Sequence, residues 1–247
     1  MTKPSQSDKE IPNTPVSMEV MSLLEHLQEL RQRIIVCLIA ISLTSAISYF
    51  YAEDLVKLIT APAGKLYFMT PAEVFFSYLK ISLFSGFLAA SPIVLYQLWA
   101  FITPALTRTE RTLYLLLTPS SVILFFIGIL FSYFFVLPTG IQFFIGFATE
   151  NWQPMFSLGE YLSFVISFLL PFGFIFELPL FILVLAKLSI VSSSFLKTKR
   201  KSVLVLSFVI GAVVSPTPDI FSQTMIAIPI IFLYEISFLL VKYSLQK

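Results

Sequence analysis

Six long apolar stretches, separated by short charged segments, constrain the fold of this chain more than any other feature of its sequence. A helix crosses the hydrocarbon core of a bilayer with about 20 apolar residues, because each residue advances it by about 1.5 Å. Only 12% of the 247 residues are charged, whereas soluble domains carry about 25%. The sequence therefore predicts an all-α membrane protein with six transmembrane helices, at residues 34–52, 80–108 (with a start as early as 71), 111–137, 160–187, 202–214 and 220–241.

Prolines and one short stretch predict an irregular bundle. Pro138 is expected to interrupt the third span at about residue 137, and Glu177 to break the fourth. The fifth span is only about 21 Å long, so the bilayer beside it should thin or a partner should cover it. Since an internal proline removes a backbone hydrogen bond, we expect bent helices that form a concave cup. The internal prolines are Pro92, Pro119, Pro171, Pro179 and Pro229.

The positions of lysine and arginine predict the orientation. With six spans both termini lie on one side, and that side carries all but three of the 16 Lys and Arg residues. Because cytoplasmic loops are enriched in these residues, both termini should face the cytoplasm, or the stroma of a plastid. We expect a disordered polar tail at residues 1–21, one six-span domain at 22–243 and a short C-terminal tail at 244–247.

Helix starts are predicted by four S/T-x-x-E patterns, at residues 22–25, 70–73, 107–110 and 157–160. In such a capping box a hydroxyl and a carboxylate each accept a hydrogen bond from a free backbone amide. Residues 217–219 place a capping hydroxyl, a proline and an acid in a fifth first turn. Capping alone is a sufficient role for three of the acids, Glu25, Glu73 and Glu160.

Glu177, in FGFIFELPLF, is the clearest candidate for a functional group inside a span. An ionisable side chain at membrane depth is costly and indicates function by default. The structural alternative is a neutral carboxyl that is hydrogen-bonded to a neighbouring helix. Glu235, nearer the end of the last span, either reaches the interface or pairs there with a basic group.

The sequence lacks the motifs of several classes of function. No Gly-rich phosphate loop, HExxH motif or Gly-x-Ser-x-Gly elbow occurs, which argues against nucleotide chemistry and intramembrane hydrolysis. The single Cys37 and single His26 supply neither a disulfide nor a metal site. The net charge of +2 does not indicate nucleic-acid binding. We therefore expect no enzyme activity, no metal, no cofactor and no nucleic acid.

Three segments resemble the TatC family, the multi-spanning subunit of the twin-arginine protein translocase. They are HLQELRQR before the first span, SPIVLYQLWAFITPALTRTER at 91–111 and PTPDIFSQTMIAIPIIFLYEI at 216–236. The likeness continues through FSYFFVLP, YLSFVISF and FGFIFELP, from about residue 22 to 243.

The resemblance implies a receptor that binds signal peptides bearing two adjacent arginines. With single-span TatA- and TatB-like partners, such a receptor exports folded proteins using the proton-motive force, and it self-associates in a multimeric complex. By motif, the implied signal-peptide site comprises Glu29, Arg31, Phe101 and Glu110. The remaining implied residues are the intramembrane acid Glu177, the structural or functional Pro62 and Asp219, and the partner-docking Gln223.

Two carboxylates near the headgroups match such a ligand. A guanidinium presents a planar fork of donors that binds a carboxylate bidentately, so we hypothesise that Glu29 and Glu110 share the arginine pair, with Phe101 packed nearby. The alternatives are a helix cap for Glu110 and an i,i+4 ion pair with Arg33 for Glu29.

Two other functions remain open at this point. A proton-coupled small-solute carrier would use Glu177 as its titrating group, and a structural scaffold would use the short fifth and sixth spans to hold other subunits. A bacterial inner membrane and a plastid thylakoid membrane are both compatible with the sequence.

Overall fold

The computed structural model describes residues 16–102, 111–149 and 155–244. Within these ranges the regular secondary structure is helical, and an isolated parallel bridge joins Tyr67 to Ser157. The helices are α1 (Val16–Tyr49), α2 (Ala52–Thr60), α3 (Pro71–Ile102), α4 (Arg111–Phe131), α5 (Leu137–Ile145), α6 (Leu158–Ile175), α7 (Leu178–Lys187), α8 (Ser193–Val214) and α9 (Ile220–Ser244). A 3₁₀ turn (Ala61–Ala63) follows α2, and a π-helix (Ser132–Val136) joins α4 to α5.

The prediction of an all-α membrane protein is confirmed. Helical segments long and apolar enough to cross a membrane occur at Glu25–Tyr49, Pro71–Ile102, Leu116–Ile145, Leu158–Lys187 and Ile220–Tyr243. The fifth predicted span corresponds to α8, whose first half is rich in lysine and whose apolar part is short. The concave outline and the orientation of the termini stay predictions.

The third span continues to Ile145, so its predicted end at about residue 137 was wrong, but the helix is interrupted just before Pro138 as predicted. The chain widens into the π-helix immediately before the proline, and the Leu137 amide donates to the Ser132 carbonyl five residues back. Such a bulge accommodates a residue without an N–H inside a helix. The helix therefore continues through α5 to Ile145.

The predicted interruption at Glu177 is confirmed. α6 ends at Ile175, and α7 begins at Leu178 with Pro179 in its first turn. A proline is favourable there because the first amides of a helix have no partner within it.

One predicted helix start and one predicted capping residue were wrong. No helix begins at Ser22, because α1 is already continuous from Val16. At the start of α9 the cap is Asp219 and not Thr217, since the Asp219 Oδ1 accepts a 2.7 Å hydrogen bond from the Ser222 amide. The Thr107 pattern lies outside the described residues.

The two remaining caps are confirmed through their hydroxyl groups. Thr70 accepts a 3.3 Å hydrogen bond from the Glu73 amide, and Ser157 accepts one of 3.3 Å from the Glu160 amide.

Helix α1 packs almost entirely on α3. The backbone of α3 approaches α1 at Gly86, where a Cβ atom would lie only 2.2 Å from Ser45 Oγ. The Thr44 hydroxyl donates to the Gly86 carbonyl at 2.7 Å. Only a glycine permits this close approach, and the outer face of α1 is left exposed.

Different helices meet at the two ends of the bundle. At the end that we call the cationic end, α1 and α8 begin and α3, α7 and α9 end. Two apolar clusters hold it together: one joins α3, α4 and α7 around Trp99, and the other joins α7, α8 and α9 around Tyr234. At the opposite end, α3 and α6 begin side by side, joined by the bridge between Tyr67 and Ser157.

Candidate functional site

The cationic ends of α1 and α3 hold a group of polar and aromatic side chains that we call the Glu29 cluster. It consists of His26, Glu29 and Arg33 on α1 with Gln97 and Phe101 on α3. The residues on each helix are three or four positions apart, so they share one face. The close packing of α1 on α3 at Gly86 brings these two faces together.

Arg33 connects the two helices through its guanidinium group. Its Nε and Nη2 atoms donate to Glu29 Oε1 at 3.0 and 2.6 Å, and its Nη1 donates to Gln97 Oε1 at 2.8 Å. The predicted i,i+4 pair between Glu29 and Arg33 is therefore present. Because both donors use one oxygen, the second carboxylate oxygen of Glu29 accepts nothing from Arg33.

His26 connects Glu29 to Phe101. Its ring stacks on the Phe101 ring with centroids 4.3 Å apart and planes 17° from parallel. Its Nδ1 lies 3.9 Å from the second carboxylate oxygen of Glu29. The structure thus brings together two of the four predicted signal-peptide residues, Glu29 and Phe101.

The other two predicted residues are not part of this cluster as described. Arg31 is exposed on α1, two residues from Glu29, and its side chain forms no hydrogen bond or ion pair within the described ranges. Glu110 lies outside the described residues.

Glu177 is buried in the middle of the bundle, at the break between α6 and α7, with 1% of its surface exposed. Its Oε2 accepts a 2.7 Å hydrogen bond from the Ser121 hydroxyl on α4. Within the described residues, its Oε1 atom has no hydrogen-bond partner. The hydrogen bond from Ser121 is of the kind expected if Glu177 is a structural carboxyl bonded to a neighbouring helix. The Oε1 atom could still accept a hydrogen bond from a second partner.

Asp219, Gln223 and Pro62 lie towards the end opposite the Glu29 cluster. Burial raises the pKa of the Asp219 carboxyl, but hydrogen bonds from Thr217, Ser222 and the Phe221 amide outweigh burial and bring the pKa below its ordinary value. Gln223 follows in the first turn of α9, where its backbone lies against Gly211 of α8. Pro62 is exposed in the 3₁₀ turn after α2.

Glu73 has a larger role than the helix cap predicted for it. Its Oε1 accepts hydrogen bonds from the Ser157 hydroxyl at 2.6 Å and the Gly159 amide at 2.8 Å, both at the start of α6. Its Oε2 accepts from the Met69 amide at 2.7 Å, just before α3. One carboxylate therefore holds the first turns of two helices.

Glu235 pairs with a basic group, as one of its two predicted alternatives stated. The Arg200 Nη2 donates to Glu235 Oε2 at 2.5 Å, and the Arg200 guanidinium stacks on the Phe238 ring at 4.6 Å. This pair joins α8 to α9 at the cationic end. No group of three potential metal ligands occurs within the described residues.

Sequence reasoning missed His26, Arg33 and Gln97 as members of one site. The i,i+3 and i,i+4 spacings of His26 and Arg33 from Glu29 were visible in the sequence, whereas the contact of Arg33 with Gln97 spans 64 positions and depends on how α1 packs on α3.

Comparison with known proteins gives consistent matches. A family model described as "Sec-independent protein translocase protein (TatC)" matches residues 25–229. The chain is 40% identical over 231 residues to the protein TatC of Carboxydothermus hydrogenoformans, covering 92% of this chain and 95% of that protein. It is 37% identical over 236 residues to TatC of Escherichia coli strain K12, covering 93% of this chain and 91% of that protein.

A solved structure is similar over most of its length. A crystal structure of the twin-arginine translocase receptor TatC superposes with a TM-score of 0.80 at 39% identity, covering 89% of this chain and 99% of that one.

Proposed function

Because the chain belongs to the TatC family of Sec-independent protein translocase proteins, we propose that it is the receptor subunit that binds twin-arginine signal peptides. In this proposal it recruits single-span TatA- and TatB-like partners, self-associates in a multimeric complex, and exports folded proteins using the proton-motive force. The chain is an integral, multi-pass membrane protein. Its proposed location is a bacterial inner membrane, with a plastid thylakoid membrane as the alternative.

One observation carries the proposal: a carboxylate near the cationic end already holds a guanidinium group. Glu29 accepts two hydrogen bonds from Arg33, and 36% of its side chain remains exposed to a ligand. The geometry around Glu29 is therefore compatible with a bound arginine. A ligand arginine either replaces Arg33 at Oε1 or binds the second oxygen, beside His26.

Two arginines call for a second acceptor, and we assign that role to Glu110. It precedes α4 directly in the chain, and the first half of α4 packs beside the end of α3, where Leu117 and Trp99 belong to one apolar cluster. A capping role for Glu110 in the free receptor does not conflict with this assignment. Phe101 supplies an apolar contact beside the carboxylates, and Arg31 remains a proposed member of the site.

The other assigned residues serve later steps of the proposed function. Gln223, half-buried in the first turn of α9, is the proposed docking point for a partner helix, and Asp219 and Pro62 shape the same end of the molecule. Glu177 is the proposed intramembrane acid, because its free oxygen can accept a donor from an inserted helix.

Titration of a fluorescent twin-arginine peptide tests the receptor proposal. We expect binding to weaken about tenfold or more in the Glu29→Gln, Glu110→Gln double variant, because hydrogen bonds to a charged group contribute about 1.5–3 kcal/mol. Glu25→Gln is the matched control, since Glu25 is exposed one turn away on α1 and lies outside the cluster. Unchanged binding in the double variant would remove both acids from the recognition role.

A second peptide makes the test specific for arginine. A twin-lysine version keeps both charges but loses the planar fork of donors. We expect the unaltered protein to bind it more weakly than the twin-arginine peptide. The double variant should bind the two peptides equally weakly. Equal binding of the two peptides to the unaltered protein would contradict bidentate recognition.

A further inference from the structure

A cleft with cationic walls opens between α8 and α9 at the cationic end. Its volume is about 470 Å³, and its lining includes Lys197 and Arg200 from α8 and Lys242 from α9. Ser193 and Ser194 also line it, and Phe238 is an apolar lining residue. The cleft thus combines cations, hydroxyl donors and an apolar surface within the size range of small-molecule sites.

The charge of this cleft is only partly neutralised by the protein. Arg200 is paired with Glu235, but α8 contains no acidic residue and Glu235 is the only one on α9. Lys197 and Lys242 form no ion pair within the described residues, although Lys242 lies over the Tyr243 ring at 6.0 Å. Two lysine ammonium groups therefore line the cleft without a carboxylate partner, and an anion there would gain charge-assisted hydrogen bonds.

The surface that continues from the cleft identifies the kind of anion. Leu204, Val205 and Phe208 follow Lys197 by seven, eight and eleven positions, so they lie on the same face of α8. They are 51%, 62% and 38% exposed. One helix face thus passes from cationic to apolar within about two turns, which matches a molecule with an anionic head and hydrocarbon chains.

We propose that the cleft between α8 and α9 binds the phosphate of an anionic phospholipid, whose acyl chains lie along the exposed apolar face of α8. The two lysines bind the phosphate oxygens, and the serine hydroxyls donate to the phosphate or to the glycerol. Basic pockets between transmembrane helices on the cationic side of a membrane protein are suited to such headgroups. The short apolar part of α8 favours the same arrangement, because the headgroup can lie deeper beside it.

Native mass spectrometry of the whole chain, titrated with dioleoyl phosphatidylglycerol, tests the proposal. The cleft variant is Lys197→Gln with Lys242→Gln. The matched control is Lys199→Gln with Lys201→Gln, which removes the same number of positive charges without altering the cleft lining. We expect the apparent affinity for the lipid to fall about tenfold or more in the cleft variant, because charge-assisted contacts of both lysines with the phosphate are lost. The control should stay within about twofold of the unaltered protein.

The remaining results would overturn the proposal. An equal loss in both variants would mean diffuse attraction to a positive surface, and no loss in the cleft variant would mean that the lysines bind no lipid. Equal retention of dioleoyl phosphatidylcholine would exclude recognition of net negative charge. Complete competition by inorganic phosphate at the concentration of the lipid would assign the cleft to a free anion.

Discussion

Arg33 occupies the carboxylate that we assign to the ligand, so its removal should strengthen peptide binding. In the free protein Arg33 donates two hydrogen bonds to Glu29 Oε1, at 3.0 and 2.6 Å. An incoming arginine that takes this oxygen first has to displace Arg33. We therefore predict that Arg33→Gln raises the affinity for a twin-arginine peptide.

The size of the gain follows from the exposure of the pair. The side chains of Arg33 and Glu29 are 23% and 36% exposed, and ion pairs in contact with water contribute about 0.2–1 kcal/mol. Removing that competition corresponds to a gain of up to about fivefold in affinity. Arg33→Lys keeps the charge but loses the planar fork, so it should give a smaller gain.

Fluorescence anisotropy with a labelled peptide measures this change, and two controls isolate its cause. Gln97→Ala breaks the link from Arg33 to α3 but leaves the pair with Glu29, so it should leave affinity unchanged. In a Glu29→Gln background, Arg33→Gln should have no further effect, because the two residues act through one contact. Weaker binding of Arg33→Gln in the unaltered background would refute the competition and make Arg33 part of the binding surface.

Two further predictions concern stability. Ser121→Ala removes the hydroxyl that donates to the buried Glu177, so it should lower the free energy of unfolding by about 1–3 kcal/mol, measured by thermal unfolding in detergent; an unchanged midpoint would contradict a structural role for this contact. Asp219→Ala should destabilise the protein by about 1 kcal/mol through loss of the α9 cap, whereas Asp219→Asn should retain the cap. Because the folded pKa of Asp219 is lowered, its ionisation stabilises the fold above the ordinary pKa and this contribution is lost as the pH falls through the folded value. Thermal midpoints of Asp219→Asn should therefore lack this loss in acid, and an identical acid profile would contradict the assignment.

The positions of the spans followed from the sequence because apolar length is a strong signal in a membrane protein. Helix α2 was missed because its nine residues are too few to span a bilayer and include Glu53, Asp54 and Lys57. The extension past Pro138 was missed because it depends on a π-helix, which has no simple sequence pattern. Apolar length thus placed the long helices. It failed at Pro138, where the π-helix accommodates a residue without a backbone N–H.

The candidate site was only partly predictable for a different reason. Glu29 and Phe101 were selected through a family resemblance, since neither spacing nor composition links positions on different spans. Their connection through His26, and that of Arg33 to Gln97, depends on the rotation of α1 against α3. The contact of Gly86 with Ser45 sets that rotation, and it could not be located without the packed helices.

The hydrogen bonds of Glu73 have a mechanical consequence for the far end of the molecule. They fasten the start of α3 to the start of α6, so any tilt of α3 would turn about this junction. The 32 residues of α3 then act as a lever of about 48 Å. A tilt of about 5° displaces its other tip by about 4 Å, a distance comparable to the 5.1 Å between the Trp99 and Phe181 rings. If α3 turns as a rigid rod about this junction, a small rotation beside Glu73 gives a larger displacement at the end where the signal peptide is proposed to bind.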